Sequence, residues 1–219
     1  VSLRLRSLER RDFALVSDGL AAPHVSTWWR ASPDPAAVRD KYERRVAGIE
    51  PVEVVVVEEN DVAIGLIQRY RLADFPEWER NPEWKRAVEA GAVPRPSIGL
   101  DYLIGTESHV ARGLGGQMIT TFVASIWDRY PEAVAVVASV EDGYRRSWRS
   151  LEKAGFGRVW AGVTSATADP VRRSQSPRAP ASARPSCCCR PQGRLEGATV
   201  LEGGPALWRS QGGNTPIGR

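Results

Sequence analysis

The chain has 219 residues, 42% of them hydrophobic, and a formal net charge of +4, which is enough for one domain of ordinary size with its own core. The surplus positive charge is confined to residues 162–219, where eight arginines face three acids, so the rest is near neutral and offers no basic stripe of the kind a nucleic-acid surface needs. No apolar run approaches the ~20 residues of a membrane span, no signal-like segment opens the sequence, and the three cysteines are consecutive, Cys187 to Cys189, so a cytoplasmic protein without a membrane partner, a disulfide framework or a bound metal is expected.

Residues 3–6 alternate apolar and basic side chains and read as a first strand, followed by a helix over 9–20. Residues 23–35 read as a loop holding Trp28 and Trp29. Asp34 before Pro35 is a helix-start signal, and the helix it opens runs to about Val46 and stops at Gly48. Two β-branched runs, 51–58 and 62–70, meet at Glu59, Asn60 and Asp61 and predict a hairpin. Residues 72–96 read as a long irregular segment, of a length more often functional than idle. A strand over 97–104, a helix from Gly113, a strand over 133–139, a helix over 144–154 and a strand over 158–160 complete the pattern. This order predicts an α/β (α+β) domain over 1–161, built on a mixed sheet flanked by helices. The Pro-, Arg-, Ser- and Gly-rich residues 162–219 read as a disordered or frame-altered tail.

The chemistry concentrates in residues 97–116, SIGLDYLIGTESHVARGLGG. A strand carrying one carboxylate, Asp101, leads through a loop to a glycine-rich turn, Arg112, Gly113, Leu114, Gly115 and Gly116, that opens a helix. Such a turn suits a phosphate, because its backbone N–H groups and the helix dipole favour an anion; it also suits a plain strand-to-helix connection. A P-loop is excluded by the absence of a Lys-Ser/Thr pair, and a dinucleotide fingerprint by the glycine spacing.

The turn resembles the acetyl-coenzyme A loop of the GNAT N-acetyltransferases, with Val110 where that family usually has Gln or Arg, and with Gly113 and Gly115 at its two glycine positions. Residues 145–156, RRSWRSLEKAGF, resemble the family's later helix and its closing Lys153, Gly155 and Phe156. Three upstream features resemble the aminoglycoside 6′-N-acetyltransferases: His24 with Trp28 and Trp29, Gly65 with Gln68 and Tyr70, and Gly99-Leu100-Asp101. The resemblance spans residues 3–160. It implies a mostly antiparallel GNAT sheet, acetyl-CoA as co-substrate, and a small-molecule amine, such as an aminoglycoside, as acceptor. A siderophore-type N-acyltransferase and a catalytically impaired coenzyme A-binding remnant are the alternatives.

Amide formation from a thioester needs a neutral amine, so a base must stand within hydrogen-bond reach of its proton. The resemblance implies Asp101 for that role; an edge-strand ion pair is the structural alternative. It implies pantetheine on the backbone of Leu103 and Ile104, pyrophosphate on the amides of Arg112 to Gly116, and coenzyme A at Tyr144, where the family often has Asn. The Arg112 side chain is either a pyrophosphate ligand or a solvated arginine. Trp28, Trp29, Gln68, Tyr70 and Trp78 are the candidate acceptor residues, with Glu77, Glu79 and Glu83 as acceptors for a cationic sugar. A Trp plug under the first helices and a polar pair at a strand end are the alternatives. His109 has no second His or Cys beside it for a metal. Leu151 stands where many members have the tyrosine that protonates the thiolate, and past Ala161 the family's last strands are not recognisable, so they are expected to be missing.

Overall fold

In the computed structural model, which describes residues 2–76, 80–161 and 205–211, a seven-stranded sheet runs in the order β1-β2-β3-β4-β5-β7-β6. Its strands are β1 (Leu3–Ser7), β2 (Glu53–Glu59), β3 (Val62–Arg71), β4 (Ser97–Ile104), β5 (Ala135–Glu141), β6 (Gly157–Ala161) and β7 (Pro205–Gln211). Only the β4–β5 pair is parallel; every other neighbour is antiparallel. The helices are α1 (Phe13–Ala21), α2 (Pro23–Ser26), α3 (Pro35–Val46), α4 (Pro82–Glu89), α5 (Leu114–Arg129) and α6 (Arg145–Lys153).

Local chemistry accounts for these elements. Asp34 caps α3, its Oδ2 accepting from the Ala36 and Ala37 amides at 3.0 Å each, with Pro35 pre-set for the first turn. Asn60 and Asp61, both at positive φ, make the two-residue turn that closes β2 onto β3. The period of two then splits β2 between two cores. Val55 and Val57 join the α5 side with Met118, Ile119, Phe122 and Ile126. Val54 and Val56 join the α1–α3 side with Val16, Leu20, Val38 and Tyr42.

Four expectations need correction. Residues 23–26 form the short helix α2 inside what reads as a loop. The helix expected over 9–20 begins as a 3₁₀ turn, Arg10–Asp12, because Asp12 folds back to accept from the Glu9 amide at 2.9 Å. The segment 72–96 contains α4, started by Pro82 and packed through Trp84 and Ala87 on Ala92, Val93, Ala135 and Val137; charged neighbours dilute that apolar stripe in the sequence. Most consequentially, the tail expected to lack strands supplies β7, which pairs with β5 along its whole length and carries β6 on its other side. Its short run, PALWRSQ, alternates too briefly to stand out from the polar residues around it.

Candidate active site

The site lies where the sheet splits. β4 and β5 pair only at Ser97–Ala135, Ile98–Val136 and Gly99–Val137, and from Leu100 onward β4 finds no ladder partner on β5. A cavity of about 160 Å³ occupies the split, lined by Leu100 to Leu103, by Ala138 to Glu141, and by Trp28, Tyr144 and Ser147. A wider cavity of about 510 Å³ adjoins it and shares Trp28, Trp29, Asp101 and Ser139. Another cavity, of about 700 Å³, lies apart under α4 with an apolar wall of Leu72, Trp84, Val88 and Val93, and contains none of the candidate residues.

Asp101 stands at the junction of the two nearer cavities. Its register partner on β3 is Gln68, whose amide donates to Oδ2 at 2.8 Å. The Tyr70 hydroxyl donates to the same carboxylate. Arg45 on α3 fixes Gln68 from behind, donating to its Oε1 at 2.7 Å and to Glu50 Oε1 at 2.9 Å. With its Oε1 occupied by a guanidinium, Gln68 can turn only its NH₂ toward Asp101. Desolvation pushes the Asp101 carboxyl above the usual carboxylate range, opposed by the Gln68 and Tyr70 hydrogen bonds and by the charges of Arg45 and Lys41. Burial also raises the Tyr70 phenol, which keeps it a donor.

Tyr70 enters the site through its hydroxyl. Its ring is buried, edge-on to Phe75 at 5.2 Å and tight over Gly99, where a Cβ would lie 2.3 Å from ring carbon Cε2. Trp28 stacks on Tyr144 with centroids 4.9 Å apart and an interplanar angle of 5°, joining the α2 side to the start of α6 across the smaller cavity. Trp29 packs against the α1–α3 core while lining both cavities. His24 accounts for part of the expected backbone edge, since its Nε2 lies 2.8 Å from the Ile104 carbonyl oxygen; Leu103 lines the smaller cavity. Trp78, Glu77 and Glu79 lie outside the described residues, as does the Glu83 side chain.

The glycine-rich turn divides its work. Gly113, at φ 83°, is the left-handed residue that opens α5. Gly115 and Gly116 are contact points between helices: a Cβ at Gly115 would lie 2.7 Å from Ser150 Oγ, and one at Gly116 3.1 Å from Lys153 Cβ. Leu114 is buried in the core beneath. The Arg112 guanidinium is bidentate on Glu59 at 2.9 and 3.0 Å, and His109 Nε2 reaches the same carboxylate at 3.1 Å. Glu59, buried at the end of β2, therefore ties down the loop from beneath, and the first-turn amides of α5 keep the free donors that any helix N-terminus has.

Sequence reading passed over Lys41, Arg45, Glu50 and Glu59. The first two were detectable: Val38, Lys41, Tyr42 and Arg45 follow helical spacing along one face of α3, and Val38 and Tyr42 are its buried residues. Glu59 gave no signal, because nothing in a hairpin's sequence says which loop will fold over its end.

A split between parallel strands, a carboxylate at its mouth and a helix N-terminus with glycines at its base define a class. Residues 9–162 match the acetyltransferase (GNAT) domain family, and the chain belongs to it. It is an acetyl-CoA-dependent acyltransferase. Among characterised relatives, it is 27% identical over 161 residues to aminoglycoside N(6′)-acetyltransferase type 1 of Klebsiella pneumoniae, covering 72% of this chain and 75% of the relative; the Serratia marcescens protein of the same name matches equally. In structure it is similar to aminoglycoside acetyltransferase AAC(6′)-Ib in complex with coenzyme A, with a TM-score of 0.66 and 22% identity over 96% of this chain and 95% of the other. The same enzyme with ribostamycin and coenzyme A gives a TM-score of 0.63 and 25% identity, over 75% and 88%.

Proposed function

We propose that this protein N-acetylates a primary amine of a small polar acceptor, with Asp101 as the base, and that an aminoglycoside 6′-amine is such an acceptor. The observation that carries this is the end of β4–β5 pairing after Gly99, which opens a cavity beside Asp101 and frees one edge of β4. Bound acetyl-CoA would supply an acetyl thioester. The residues that fit it are the β4 edge at Leu103, the α5 amides from Gly113 to Gly116, and Tyr144.

Asp101 accepts a proton from the incoming ammonium, directly or through one water, so that the nitrogen lone pair is free to attack the acetyl carbonyl; the C–N bond would form as the C–S bond breaks, and the second proton shed by the nitrogen would leave with the thiol. Gln68 and Tyr70 aim the carboxylate and Arg45 aims Gln68. Trp28, stacked on Tyr144, walls the smaller cavity on the α2 side. The wider cavity, between α3 and β3, receives the acceptor. The homology to aminoglycoside acetyltransferases supports the aminoglycoside in particular.

Melting the protein with and without acetyl-CoA tests the cofactor half, since a ligand bound only by the folded state must raise the melting temperature. A rise that Asp101→Asn retains, together with loss of acetyl transfer in that variant, is the expected pair of results. No rise in a cooperatively folded sample would contradict the reading.

A further inference from the structure

Among the described residues, Lys41 is the cation of the acceptor cavity that makes no hydrogen bond or ion-pair contact. Among the described residues, that cavity is lined by three cations, Arg30, Lys41 and Arg45, against two carboxylates, Glu50 and Asp101. Arg45 is committed to Gln68 and Glu50. Arg30 is exposed and lies 3.9 Å from Glu141. Lys41 has no hydrogen-bond or ion-pair partner among the described residues, and its Nζ is 5.9 Å from the Tyr42 ring centroid, at the outer limit of a cation–π contact.

An ammonium offers three donors and no acceptor, and half-burying it unpaired is costly. Desolvation and the charge of Arg45 both lower the Lys41 pKa, while Glu50 and Asp101 act against them. An oxygen arriving with the acceptor would supply such a counterpart. The same charge repels a second ammonium brought into the cavity while the reacting amine is at Asp101.

We propose that Lys41 determines acceptor specificity: it selects amines that present an oxygen, hydroxyl or anionic, toward α3, and disfavours those that place a second ammonium there. This rests on the N-acetylation reading above. It narrows that reading, among amino sugars, to those that place a hydroxyl and not a second ammonium beside α3.

The test uses two amino sugars that differ only in hydroxyl against amine at one carbon of the ring carrying the reacting amine. Both kcat/KM and acceptor binding, the latter by calorimetry without acetyl-CoA, are measured for wild type, Lys41→Arg, Lys41→Met and Lys41→Glu. Wild type and Lys41→Arg should favour the hydroxyl compound by about tenfold, the scale of a like-charge contact in a partly solvated cavity. Lys41→Met should bring the ratio near one and Lys41→Glu should invert it. An unchanged ratio in all four proteins overturns the proposal while leaving N-acetylation standing. If wild type binds these compounds without acetylating them, the N-acetylation reading fails, and the binding ratios alone still decide the role of Lys41. Absence of binding overturns both.

Discussion

Asp101 meets two opposed demands. As the proposed base it must be ionised, yet desolvation raises its pKa, against the Gln68 and Tyr70 hydrogen bonds and the charges of Arg45 and Lys41. Acetyl transfer should therefore climb with pH through a midpoint above the usual carboxylate range, and Asp101→Asn should lose about 10²- to 10⁴-fold in kcat. Because folding raises this pKa, the carboxyl favours the folded state at low pH and loses that contribution as pH rises through the raised value. Asp101→Asn should accordingly melt higher than wild type at neutral pH, with the gap closing on acidification; a lower melting temperature at neutral pH would contradict this. Gly99 makes the second residue-scale test. A methyl there collides with the Tyr70 ring, so Gly99→Ala should cost about 1–3 kcal/mol of stability by overpacking. It should also lower kcat by shifting the Tyr70 hydroxyl from Asp101, which parallel denaturation and rate measurements would read.

At the scale of elements, the glycine turn shows how a motif can be legible while its physical basis is not. The turn and the helix behind it stand where residues 113–129 put them, but Gly115 and Gly116 sit where α6 approaches closely, and Arg112 is held by Glu59. Glu59→Gln should loosen Arg112 and His109 and raise the KM for acetyl-CoA several-fold, with kcat little changed. Calorimetric titration with coenzyme A would show the same weakening, and an unaltered affinity would remove Glu59 from the account. The strands of the hairpin, α3 and β4 were readable because each has a local signal: a β-branched run, a cap with Pro, an alternation. α4 and β7 were not readable in this way, since their stability comes from surfaces made by other elements. Likewise Asp101, Gln68 and Tyr70 were visible as motifs, whereas the support from Arg45 and Glu50 depends on how α3 crosses β3.

For the molecule as a whole, β1 is joined to the sheet by charge as well as by its ladder. Arg6 bridges Asp12 at 2.7 Å and Glu58 at 2.7 Å, and Arg4 reaches Glu58 at 2.8 Å. Hydrogen bonds from Arg6 hold both carboxyls below the usual range. Groups with lowered folded-state pKa values contribute stability above their unfolded pKa and lose it as pH falls through the folded one. The protein should therefore lose stability in acid, from the ordinary carboxylate range downward, and Asp12→Asn should remove part of that dependence at a cost of about 2 kcal/mol at neutral pH. Equilibrium denaturation at several pH values checks both. The central claim is tested most directly by incubating the protein with acetyl-CoA and an aminoglycoside, following free thiol, and locating any acetyl group by mass spectrometry. Thiol release that depends on the aminoglycoside, is abolished in Asp101→Asn and leaves one acetyl group on the 6′-amine is the predicted result. Thiol release no faster than with acetyl-CoA alone, across aminoglycosides and other primary amines, would contradict it.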